Sequence, residues 1–82
     1  MKIESVGYII QDNQGNAIFG FGETVDQAWE MVVDGVGAPR DDDFKTYGAT
    51  QNLLNLVGEN GGAIAWDVIG GVACTTDESE AE

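Results

Sequence analysis

Thr24-Val25-Asp26-Gln27 is the strongest local constraint in the chain. A Thr followed three residues later by Gln matches a capping box, and apolar residues then recur at helical spacing. Val25, Ala28, Trp29, Val32, Val33 and Val36 form one stripe, and Gly37 supplies a stop. The spacing predicts a helix over 25–36 that packs all six against neighbouring structure. Asp26, Glu30 and Asp34 then fall on the opposite face, at i, i+4 and i+8. The rise of 1.5 Å per residue puts them roughly 6 Å apart along the axis. No Lys or Arg lies between residues 25 and 36 to neutralise them.

The residues around this helix predict what it packs on. Ile3 to Gln11 and Ala17 to Gly22 are rich in Ile, Val, Tyr and Phe and flank the polar cluster Asp12-Asn13-Gln14-Gly15-Asn16, which reads as a β-hairpin with Gly15 available for positive φ. Gly20 and Gly22, inside or just after the second strand, suggest a bulge or the close approach of another element. Ala38 to Thr46 reads as a connector containing Pro39, Arg40 and the run Asp41-Asp42-Asp43. Ala49 to Asn60 reads as a second helix, with Thr50 as cap and Gly61 after its end. Ala63 to Ile69 reads as a strand with Ile64, Trp66 and Val68 on one face, turned by Gly70-Gly71 into Val72 to Thr75. The expected fold is α+β: a single domain over 1–75 in the order ββααββ, with an antiparallel sheet of two hairpins packed against one or two helices. Residues 76–82 read as a disordered acidic tail.

Charge narrows the partners. Fifteen Asp and Glu against three Lys and Arg, with no His, give a formal charge of −12 over 82 residues. Only Asp77, Glu78, Glu80 and Glu82 belong to the tail, so the imbalance resides in the folded part as well. It creates a field that attracts basic surfaces and costs the compact state some self-repulsion. Lys2, Arg40 and Lys45 are too few to make a basic footprint, which argues against direct nucleic-acid binding and against anionic membranes. A chain of this length buries only about 60% of its unfolded surface, so a deep catalytic cleft is not expected. The single Cys74, the lack of a signal-peptide pattern and the lack of a long apolar run point to the cytoplasm.

The residue types present restrict the chemistry further. Without His, no Ser-His-Asp or Cys-His arrangement can be built within one chain, and the commonest zinc ligand is missing. Cys74 reads as a small buried residue. Gly20-Phe21-Gly22-Glu23-Thr24-Val25 begins like a dinucleotide fingerprint. Val25 replaces its third glycine, however, and Glu23 and Asp26 would compete with a phosphate at the helix N-terminus. Asp12 to Asn16 lacks the ligand spacing of a calcium loop, and Asp41, Asp42 and Asp43 are adjacent rather than convergent. No carboxylate pair is singled out for acid and base work. The reading is of a protein without enzymatic activity, metal or cofactor.

What remains is the acidic surface: Asp26, Glu30 and Asp34 on the helix, continued by Asp41, Asp42 and Asp43 in the adjoining loop. One account is solubility or salt adaptation, since charge runs are usually solvated. The other is a binding surface for a basic protein, in which column and loop together approximate a phosphate track. In acidity, size and compactness the chain resembles, in general character, the anti-CRISPR and antirestriction inhibitors that phages and mobile elements direct against bacterial defence. Tyr8 to Val36, a hairpin followed by Gly22-Glu23-Thr24 and the helix containing Ala28, also resembles the RNase-H-like domain of HicB-type antitoxins. It departs from that pattern in its Gly70-Gly71 hairpin and in lacking a DNA-binding appendage. The first resemblance implies an inhibitor that occupies the basic groove of a nucleic-acid-binding effector; the residues leave monomer and dimer both open. The alternative is an antitoxin or accessory protein that binds a basic partner through a sheet edge or an apolar patch, in which Phe19, Phe21 or Trp66 would matter more and the acidity would serve only solubility.

Overall fold

Ile9 and Ile10 are adjacent and both fully buried, which a strand achieves only when both faces of its sheet are covered. That arrangement is found in the computed structural model, which describes residues 3–13, 17–37 and 40–81. In chain order the elements are β1 (Gly7–Asp12), β2 (Ile18–Gly22), α1 (Val25–Val36), a 3-10 turn (Asp41–Asp43), β3 (Phe44–Ala49), α2 (Gln51–Asn60), β4 (Trp66–Ile69), β5 (Val72–Thr75) and α3 (Thr76–Ala81). The strands form one sheet in the order β2-β1-β3-β5-β4. Ile10 packs with Ala28 and Val32 of α1 on one face. Ile9 packs with Leu53, Leu54 and Val57 of α2 on the other. The sheet is thus a middle layer between two helices.

This is the expected α+β class with a different plan. The order ββααββ is corrected to ββαβαββα, and the sheet is mixed rather than antiparallel. Both expected hairpins are present, but β3 stands between them, antiparallel to β1 and parallel to β5. Because β2 and β3 flank β1 and both run opposite to it, α1 must cross over β1 to join them. The connector expected over 38–46 therefore ends in a central strand. The expected acidic tail is also corrected, because Thr76–Ala81 is helical. Gly15 and its turn lie outside the described residues.

Gly20 and a bulge decide how closely α1 approaches. Ile10 pairs with Gly20 but Gln11 pairs with Ile18, so Phe19 is an extra residue in β2. The bulge resets the alternation. Ile18 and Phe21 both join the α2-side core, while Phe19 meets Phe44, which packs with the α1-side cluster. A Cβ on Gly20 would lie 2.1 Å from the Ala28 carbonyl oxygen and 2.8 Å from a Val32 methyl. The helix backbone therefore rests directly on the strand.

Capping sets the helix ends. Thr24 Oγ1 accepts from the Gln27 N–H at 3.1 Å, while Gln27 Oε1 accepts from the Glu23 N–H at 3.0 Å, one residue earlier than in the ideal box. Gly37, at φ 97°, ends α1 with its N–H on Val33 O. Thr50 caps α2 as expected, accepting from the Leu53 N–H at 3.2 Å. The Gly70-Gly71 turn also forms as expected, both residues at positive φ (59° and 82°).

α3 is held by a second reciprocal cap. Thr75 Oγ1 accepts from the Glu78 N–H at 3.1 Å, and Glu78 Oε1 accepts from the Thr75 N–H at 3.0 Å. The same carboxylate oxygen accepts from the Thr50 hydroxyl at 2.6 Å, so one buried group ties α3 to the start of α2. Among the described residues no buried side-chain nitrogen or oxygen lacks a hydrogen-bond partner.

Candidate binding face

α1 buries only one edge of its apolar stripe. Ala28 and Val32 are fully buried and Trp29 is half-buried, whereas Val25, Val33 and Val36 remain 43%, 39% and 47% exposed. All six were expected to pack, and the reason they do not is geometric. The six positions span roughly 140° of the helix circumference at 100° per residue. The strands beneath meet only the sector centred on Ala28 and Val32. An apolar flank of Val25, Trp29, Val33 and Val36 is left between the sheet and the outer face.

The outer face carries the acid. Asp26, Glu30 and Asp34 are all exposed and, one turn apart, form a column that runs beside the apolar flank at an offset of one residue. Asp26, in the first turn, also faces the favourable end of the helix dipole. Asp42 and Asp43 are exposed in the 3-10 turn that leads into β3. Asp41 opens that turn, and its side chain lies outside the described residues. Backbone contacts fix the turn: the Asn13 N–H donates to Asp43 O at 3.0 Å, and the Asn13 side-chain amide donates to Asp42 O. Phe44 follows immediately, and its ring meets Trp29 edge to face at 5.9 Å between centroids. The Trp29–Phe44 contact thus joins the helix that carries the column to the strand that follows the acidic turn.

Beside that contact is a hollow of about 300 Å³ lined by Val25, Asp26, Trp29, Phe44 and Thr46. Its lining combines the Trp29 and Phe44 rings and the Val25 side chain with the Asp26 carboxylate and the Thr46 hydroxyl. A larger hollow of about 360 Å³ lies between α2 and α3, among Asn52, Asn55, Leu56, Glu59, Thr76 and Asp77. Leu56 and the aliphatic stems of its neighbours supply much of that cleft's surface, beside amides, carboxylates and hydroxyls. No group of three or more His, Cys, Asp or Glu side chains able to hold a metal occurs among the described residues. Cys74 is fully buried.

Of the aromatics named for an apolar contact, Phe19 is 42% exposed, while Phe21 and Trp66 are half-buried against the α2-side core. The open flank of α1 was missed from sequence. The signal that could have revealed it was the width of the stripe, which exceeds what a two-stranded contact covers. No helix among the described residues is long and apolar enough to cross a membrane. No protein-family model, curated protein or solved structure matches the chain.

Proposed function

We propose that this chain is a non-enzymatic acidic binding protein that occupies the basic, nucleic-acid-binding surface of a partner. Its general likeness to anti-CRISPR-type inhibitors makes a bacterial defence effector the partner of choice, which would put its action in the bacterial cytoplasm. The observation that supports this reading most is the direction of the charge. Asp26, Glu30 and Asp34 project from one side of a helix whose opposite side is seated on the sheet, with no basic residue in that helix. Carboxylates on a seated helix are pre-organised, and such a surface steers a basic partner into fast encounter.

Exposed Val25, Val33, Val36 and Phe19 favour a second reading, in which an antitoxin or accessory protein binds its partner through an apolar patch and the acid serves solubility. One experiment separates the two. The protein is immobilised, bacterial lysate is applied, and bound proteins are eluted in rising salt. On the acidic reading, a nucleic-acid-binding protein elutes as salt screens the pair, and Asp26→Lys with Glu30→Lys abolishes its capture at unchanged circular dichroism. Capture that survives both high salt and the double substitution would refute the acidic reading and favour the apolar one.

A further inference from the structure

Resting on the acidic-face reading, we propose that the hollow between α1 and β3 receives a Lys or Arg side chain from a basic amphipathic helix of the partner. The hollow combines what a long cationic side chain needs. Trp29 and Phe44, held edge to face at 5.9 Å, offer apolar and π surface to the aliphatic stem. Asp26 lines the same hollow and is exposed, so it can meet the charged head without full desolvation. Phe19 also meets Phe44 edge to face, at 5.8 Å between centroids, so that ring is held by two aromatic contacts before any partner arrives.

The surroundings of the hollow select a helix as the element that brings this side chain. Val25, Trp29, Val33 and Val36 run the length of α1, an apolar strip of roughly 17 Å at 1.5 Å per residue. The inclined i+4 row Val25, Trp29 and Val33 fits the groove of a second, crossing helix with apolar residues at i, i+4 and i+7. Glu30 and Asp34 continue beside the strip, so that helix needs basic residues one position off its own apolar stripe. A second copy of this chain fits poorly, because it would bring a second acidic column to the same interface, each copy carrying a formal −12. An extended polycation would leave the strip uncovered.

The test uses synthetic helical peptides of about the length of α1 and the variant Trp66→Phe, which leaves Trp29 as the only tryptophan. The first peptide carries Leu at i and i+4 with Arg beside them. In the second, one central Arg is norleucine, and the third is oligolysine of equal charge. We expect the first to shift Trp29 fluorescence and bind. Asp26→Asn, the norleucine exchange, and the near-isosteric set Val25→Thr, Val33→Thr and Val36→Thr should each weaken binding roughly tenfold or more. If oligolysine binds as tightly as the first peptide, and Asp26→Asn and the Thr set are without effect while Glu30→Lys with Asp34→Lys abolishes binding, the hollow is refuted and the acidic face survives. If no carboxylate substitution matters, or no peptide binds, both fail. Self-association in sedimentation that the Thr set removes would assign the strip to a second copy and overturn the proposal.

Discussion

Gly20→Ala is expected to lower the melting temperature sharply and to disturb α1 more than any other part of the protein. Ordinary contact between a methyl carbon and an oxygen is about 3.4 Å or more. The added Cβ would start 2.1 Å from Ala28 O, and backbone cannot rotate away as a side chain can. The helix must lift by about 1 Å, which opens the packing of Ile10, Ala28 and Val32. Overpacking of this kind costs about 3 kcal/mol, a large part of the stability of a domain this small. Gly35→Ala is the matched control. Gly35 is inside the same helix, nothing beyond its chain neighbours and its own helical backbone lies within 4 Å of its built Cβ, and the change should add about 0.5–1 kcal/mol. Thermal melts of the two variants should therefore move in opposite directions. If Gly20→Ala melts with the wild type, α1 does not rest on β2 as described.

Thr50→Val is expected to have the next largest effect, because one hydroxyl serves two ends. It accepts from the Leu53 N–H as the cap of α2 and donates to the Glu78 carboxylate that caps α3. Losing the cap costs about 1 kcal/mol, and leaving a buried carboxylate short of a donor adds about 1–3 kcal/mol. The pH dependence carries a defined sign. Burial raises the Glu78 pKa, but hydrogen bonds from Thr50, from the Thr75 backbone and side chain, and from Asn52 outweigh it, so the group titrates below its ordinary value of 4.5. A depressed pKa in the folded state means that this stabilisation is complete above the unfolded-state pKa and is lost as pH falls through the folded-state value. The overall acidity acts in the opposite direction, since neutralising a chain of formal charge −12 relieves repulsion. Comparison with Glu78→Gln isolates the local effect, because the other carboxylates are common to both proteins. The stability gap between wild type and Glu78→Gln should be full at pH 6 to 7 and should narrow as pH falls below the ordinary value of 4.5 and through the lower folded-state pKa. A gap that does not change with pH would show that Glu78 acts by shape alone.

These two sites mark what was legible in the sequence. The Thr24 cap, the α1 stripe and its Gly37 stop, the Thr50 cap of α2 and the Gly70-Gly71 turn each depend on residues within a few positions, and all are present. β3 was hidden because its burial does not follow its hydrophobicity. Phe44-Lys45-Thr46-Tyr47-Gly48-Ala49 has little apolar alternation, and three aspartates precede it. Small residues are needed where packing is tight: Ala49 is fully buried, and a Cβ on Gly48 would fall 2.4 Å from Ser5 Oγ. Lys45 and Thr46 are tolerated where that strand is open to solvent. α3 was hidden by averaging over an acidic run, although Thr75-Thr76-Asp77-Glu78 has capping-box spacing and one of its carboxylates turns inward. At the candidate face, the direction of Asp26, Glu30 and Asp34 follows from helical period alone. The exposed flank and the Trp29–Phe44 hollow do not, because they depend on where β3 lies.

Backbone amide NMR of the labelled protein, titrated with the Arg-bearing amphipathic peptide, tests the central claim that the outer face of α1 is the binding surface. We expect the largest shifts at Asp26, Trp29, Glu30, Val33 and Asp34, with Phe44 and Thr46 following, and their collapse at high salt. Shifts concentrated instead on Asn52, Asn55, Glu59 and Asp77, at the cleft between α2 and α3, would contradict it.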